Sequence, residues 1–64
     1  MSAWPKAPTG AEIRAARLAA GLSQTDAAAL VYSALRTWQN WEAGKPRMPA
    51  ALWELWQIKV SRIP

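Results

Sequence analysis

Residues 23–44 read SQTDAAALVYSALRTWQNWEAG, and the way this stretch divides decides the fold. Ser23 followed three positions later by Asp26 is a helix start signal. A short helix is therefore expected from Gln24 to about Leu30, with Ala27, Ala28 and Val31 facing inward and the alanines letting another backbone come close. After Val31 and Tyr32, Ser33 is a candidate cap for a further helix over 34–43, which Gly44 stops. On that helix Trp38 and Trp41, with Leu35 or Ala34, share an apolar stripe, while Arg36, Thr37, Gln39 and Asn40 surround the rest.

Moving outward, Thr9 and Glu12 have the spacing of a capping box, so another helix is expected to begin near Gly10. Ile13, Ala16, Arg17 and Ala20 fall on one face of it, and Gly21 is a natural stop. Before it, Pro5 and Pro8 suggest an extended arm over residues 1–9. On the other side, the basic linker KPRM leads to Pro49, which suits the first turn of a last helix over 50–59. Residues 60–64 are expected to form a short frayed tail.

The chain has 64 residues, a net charge of +4, and neither cysteine nor histidine. A single domain is expected over 10–59, and its core is small: a chain of this size buries only ~60% of its unfolded surface and gains ~3–5 kcal/mol. Self-association or a bound partner is the expected support, because disulfides and zinc are excluded by composition. The first ten residues lack a signal-type apolar segment, and no run approaches the ~18 apolar residues of a membrane span. A soluble cytoplasmic protein without a membrane partner is expected. With Glu12, Asp26, Glu42 and Glu54 as the only acids, no catalytic set, metal cluster or phosphate loop can be assembled. The expectation is a non-enzyme without cofactor or metal, and the basic balance favours a polyanionic partner.

A short helix, a tight turn and a helix with an apolar back and a hydrogen-bonding front form the arrangement of a helix-turn-helix. Over about Gly10 to Ile58, and most clearly from Ile13 to Pro49, the sequence resembles the Cro/C1-type (XRE) helix-turn-helix repressors. The resemblance is carried by Arg17, by Gly21, Leu22, Ser23 and Gln24, by Ala27 and Ala28, and by Glu42, Ala43 and Gly44, with no insertion or deletion between Gln24 and Glu42. It implies an all-α, compact four- to five-helix lambda-repressor-like domain. The segments RTWQNWEAG and MPAALWELW also look like those of phage anti-CRISPR-associated autorepressors. Three departures stand out. Tyr32 and Ser33 occupy the turn where the family has a glycine and an apolar residue, Ala27 replaces a leucine, and the fifth helix of many members is not expected here.

The resemblance implies that the helix over 34–43 enters the DNA major groove. The positions matching base readers are Leu35, Arg36, Thr37, Gln39 and Asn40, with Ala34 beside them. Arg36 can present a fork to guanine, and Asn40 or Gln39 can pair with adenine. Gln24 matches a phosphate-binding position; Ser33, Lys45 and Arg47 are further candidates for phosphate, and Lys6 is a candidate arm contact. Arg17 and Glu42 match a structural ion pair, and Trp38 and Trp41 match core positions.

Leu52, Trp53, Leu55, Trp56 and Ile58 cover more than one stripe of the last helix, which makes them the candidate homodimer interface. The expected function is a bacterial or phage repressor that binds an inverted-repeat operator on double-stranded DNA and controls its own gene in the cytoplasm of the host cell. Two other readings stand beside it: an antitoxin whose last helix also holds a toxin, and a module for protein or membrane surfaces.

Overall fold

Thr9 accepts the backbone N–H of Glu12 at 3.1 Å, and the Glu12 carboxylate accepts that of Thr9 at 3.0 Å. This complete capping box starts α1 (Gly10–Ala19). Ser23 Oγ likewise accepts the Asp26 N–H at 3.0 Å and starts α2 (Gln24–Leu30). Two further helices, α3 (Leu35–Ala43) and α4 (Ala50–Ser61), complete an all-α domain in the computed structural model, which describes residues 6–63. No strand occurs among the described residues.

The helix ends follow from backbone chemistry. Gly21, at φ +72°, closes α1 by letting the Leu22 N–H reach the Arg17 carbonyl at 3.2 Å. Gly44, at φ +80°, closes α3 in the same way through the Lys45 N–H and the Asn40 carbonyl, 3.0 Å apart. At the end of α2 the left-handed residue is Tyr32, at φ +58°, and the Ser33 N–H bonds the Ala28 carbonyl at 3.0 Å. The turn therefore keeps the geometry a glycine would favour without having one.

That closure corrects the expected start of α3. Ser33 belongs to the turn ending α2, and its hydroxyl donates back to the Val31 carbonyl at 3.3 Å. Ala34 becomes the N-cap, with no side-chain cap bond, and the helix begins at Leu35. Downstream, Pro49 is the N-cap of α4 rather than a residue of its first turn. The helix also runs on to Ser61, so Val60 and Ser61 are not tail. Val60 is held in the helix by packing against the core. Residues 6–9 of the arm form neither helix nor strand, with Pro8 buried and Lys6 exposed; residues 1–5 of the expected arm lie outside the described residues.

The core comprises Ile13 from α1, Ala27 and Ala28 with Val31 from α2, Trp38 and Trp41 from α3, Met48 from the linker and Trp56 from α4. Its three indoles and the partly buried Trp53 beside it form a series. Trp41 meets Trp38 edge-on at 5.8 Å, Trp38 meets Trp56 at 5.6 Å, and Trp56 stacks on Trp53 at 5.5 Å. Each such pair contributes ~0.5–1.5 kcal/mol beyond area burial, a large fraction of what a chain this short can gain. The Trp56 indole N–H finds the Ala27 carbonyl at 3.2 Å, where the small alanines of α2 let α4 approach.

This packing also corrects the interface expected on α4. Trp56 is 1% exposed and belongs to the core of its own chain, so it is not available to a second copy. Leu52, Trp53 and Leu55 are partly buried against the same core. Of the five residues assigned to that interface, only Ile58 is exposed.

Candidate nucleic-acid interface

Glu42, in the last turn of α3, is where three helices are tied together. Its carboxylate accepts Arg17 Nε at 2.6 Å, a second Arg17 nitrogen at 3.3 Å, Gln24 Nε2 at 3.2 Å and the Trp38 indole N–H at 2.5 Å. Four donors fill the acceptor sites of one carboxylate. Arg17 uses its remaining terminal nitrogen on the Leu22 carbonyl at 3.1 Å, which fixes the turn between α1 and α2. The ion pair implied by the resemblance is thus formed and largely shielded, with the two side chains 11% and 8% exposed.

Burial alone would push the Glu42 carboxyl up. The hydrogen bonds from Arg17, Trp38 and Gln24, with the Arg17 charge, outweigh that effect and hold it below the ordinary glutamate value. The carboxylate is accordingly ionised at neutral pH. Its charge is turned inward and answered by Arg17.

Gly10 sets how closely α1 approaches this corner. A Cβ there would lie 2.1 Å from the Glu42 carbonyl oxygen and 2.8 Å from its carbon. Only glycine fits. The sequence reading placed Gly10 at a helix start and missed this contact, for which the sequence carries no local signal.

With Glu42 facing the core, the outward arc of α3 carries Leu35, Arg36, Gln39, Asn40 and Ala43, all exposed. Arg36 and Asn40 are one turn apart, as are Leu35 and Gln39, so each pair stands side by side on the surface. Thr37 is half-buried at the edge of the arc. Leu35, which could have been core or surface, is 41% exposed. The only acid on α3 is the one turned away, so its exposed arc carries one cation, Arg36, and two carboxamides, Gln39 and Asn40, between the apolar Leu35 and Ala43.

The phosphate candidates divide. Lys45 and Arg47 follow α3 directly and are exposed. Arg47 is also close enough to contribute to lowering the Glu12 carboxyl, whose chief cause is its hydrogen bonds with Thr9. Gln24 is half-buried, with Nε2 on Glu42 and its oxygen accepting Gln39 Nε2 at 3.4 Å, which leaves one amide hydrogen for an outside acceptor. Ser33 is poorly suited to phosphate, because its single O–H already donates to the Val31 carbonyl.

Two further residues escaped the sequence reading. Lys59 of α4 donates to the Leu30 carbonyl at 2.6 Å and lies 4.0 Å from the centre of the exposed Tyr32 ring. It thereby caps α2 from outside and braces the turn leading into α3. Met48 is fully buried, and a lone apolar residue in the linker was the available clue.

The sequence matches no protein-family model and no curated protein. The fold and the Glu42 corner define a small all-α domain in which α3 is tied to α1 and α2 through one carboxylate and keeps its outer arc exposed. No helix among the described residues is long and apolar enough to cross a membrane.

Proposed function

We propose that the chain is a sequence-specific DNA-binding repressor in which α2 and α3 act as a helix-turn-helix and α3 lies in the major groove. The observation that carries this reading is the outer arc of α3. It presents Arg36, Gln39 and Asn40 to solvent, while the one acid of the helix is turned inward and paired with Arg17. A guanidinium fork suits the O6 and N7 of guanine, and a carboxamide suits the N6 and N7 of adenine. Leu35 beside them suits a thymine methyl. Lys45 and Arg47 supply the sequence-independent attraction to phosphate.

Repression follows from occupancy of a promoter, including that of the chain's own gene in a bacterial or phage setting, and places the protein in the cytoplasm. The repressor acts as a homodimer on an inverted repeat, since two copies set one DNA turn apart, ~34–36 Å, double the number of contacts. With Trp56 in the core, the contact between copies rests on Ile58 and the partly exposed Leu52, Trp53 and Leu55. The surface left for a second copy is narrow, because Trp56 is buried and Leu52, Trp53, Leu55 and Val60 pack against the core of their own chain.

The test is selection of duplexes from a random-sequence pool, followed by titration at several stated salt concentrations. A preferred sequence whose affinity falls steeply with salt supports the reading; equal affinity for shuffled duplexes contradicts it.

A further inference from the structure

We infer that the shielded Glu42 carboxylate sets, through Gln24, the hydrogen-bonding direction of the exposed Gln39 amide, and so makes adenine the base that Gln39 reads; this rests on the DNA reading above. The argument needs only donor and acceptor inventories. An ionised carboxylate accepts and cannot donate, so Gln24 must turn its NH2 group toward Glu42, where Nε2 lies 3.2 Å from Oε1. The Gln24 oxygen is then left facing Gln39, whose Nε2 donates to it at 3.4 Å. Each amide in the series is oriented by the one beneath it.

What remains free on Gln39 is its oxygen and one N–H. That is one acceptor and one donor, the complement of the adenine N6 amino group and N7. Guanine offers two acceptors at the same edge, O6 and N7, and would require two donors where one is already committed. A glutamine without this tether can turn its terminal amide over and present either order. Gln24 also restrains the Gln39 side chain before binding, which lowers the ordering cost on the DNA. Glu42 and Gln24 are thus positioning residues for a base contact neither needs to make.

The experiment compares the wild-type chain with Gln24→Met, Gln24→Ala, Gln39→Ala and the Gln24→Met/Gln39→Ala double variant. Each is tested on the duplex that the wild type selects from a random pool and on all its single-base-pair variants, at one salt concentration. Both Gln24 substitutions leave the Arg17 and Trp38 bonds to Glu42 in place, and circular dichroism confirms the fold.

The expected result is one position per half-site where adenine is preferred over guanine. That preference falls at least about five-fold in Gln24→Met and Gln24→Ala, falls in Gln39→Ala, and falls no further in the double variant. A wild type that selects a sequence, with Gln24 variants that keep every base preference and weaken all duplexes equally, overturns the inference and makes Gln24 a phosphate contact only. A selected sequence on which Gln39→Ala changes no base preference overturns it as well. A wild type that selects no sequence removes the DNA reading itself.

Discussion

Gly10 and Glu42, thirty-two positions apart in the chain, touch through their backbones: a Cβ on Gly10 would sit 2.1 Å from the Glu42 carbonyl oxygen. The contact puts the start of α1 on the end of α3, beside the carboxylate that Arg17 clamps from further along α1. One corner therefore determines both the packing of α3 and the direction of its only charge of negative sign.

Gly10→Ala is expected to destabilise the chain. Within a helix this exchange normally gains ~0.5–1 kcal/mol, but here the new methyl meets backbone that cannot turn aside, and overpacking costs ~1–3 kcal/mol. Urea unfolding followed by circular dichroism at 222 nm, the usual helix band, checks the sign. A midpoint at or above that of the wild type contradicts the close approach.

Removing one side of the Glu42 corner should be worse. Arg17→Met leaves a shielded carboxylate without its cation, a change that costs ~3–5 kcal/mol and is comparable to the whole stability of a domain this size. The variant should be largely unfolded at room temperature, and a loss of the proposed DNA binding in it would then follow from unfolding. An Arg17→Met/Glu42→Leu double variant should lose less than the two single losses added together, measured as a double-mutant cycle.

Acid should act through the same residue. The folded-state carboxyls of Glu42 and Glu12 are both lowered from 4.5, so the stability they contribute is fully present above that value and is lost as pH falls through their lowered folded values. The urea midpoint should hold steady down to about pH 5 and drop below it. Glu12→Gln, which keeps a capping-box acceptor, should retain most of that drop, since Glu42 is the acid clamped by Arg17. An acid response that disappears in Glu12→Gln contradicts the role given to Glu42.

The turn between α2 and α3 makes a separate claim. Tyr32 sits at φ +58°, a conformation that costs a residue with a Cβ ~1–2 kcal/mol, and its ring lies against Lys59. Tyr32→Ala keeps the strain and loses the ring contact, whereas Tyr32→Gly loses both. Thermal unfolding should therefore rank Tyr32→Gly above Tyr32→Ala by ~1 kcal/mol.

Much of this architecture is local and was legible in the sequence. Thr9 with Glu12 and Ser23 with Asp26 mark helix starts because a side chain three residues back can reach an unsatisfied N–H. Gly21 and Gly44 mark helix ends because glycine enters positive φ without a Cβ penalty. Ser33 looked like a third start signal, but Tyr32 adopts positive φ despite its side chain and draws Ser33 into the preceding turn. Trp56 looked like surplus apolar surface because periodicity on α4 does not reveal that Ala27 and Ala28 of α2 leave room for an indole. The Gln24 to Gln39 contact joins residues fifteen apart through side-chain geometry, which no spacing rule anticipates.

The most direct test of the central claim is footprinting on the DNA upstream of the chain's own gene, using wild type, Arg36→Ala and Asn40→Ala at one salt concentration, with all three shown to be folded. Protection of two symmetric half-sites about one turn apart, lost in both variants, is the result this account predicts. Unchanged protection in the two folded variants, or none by the wild type, would contradict the assignment of the outer arc of α3 as the surface that reads DNA.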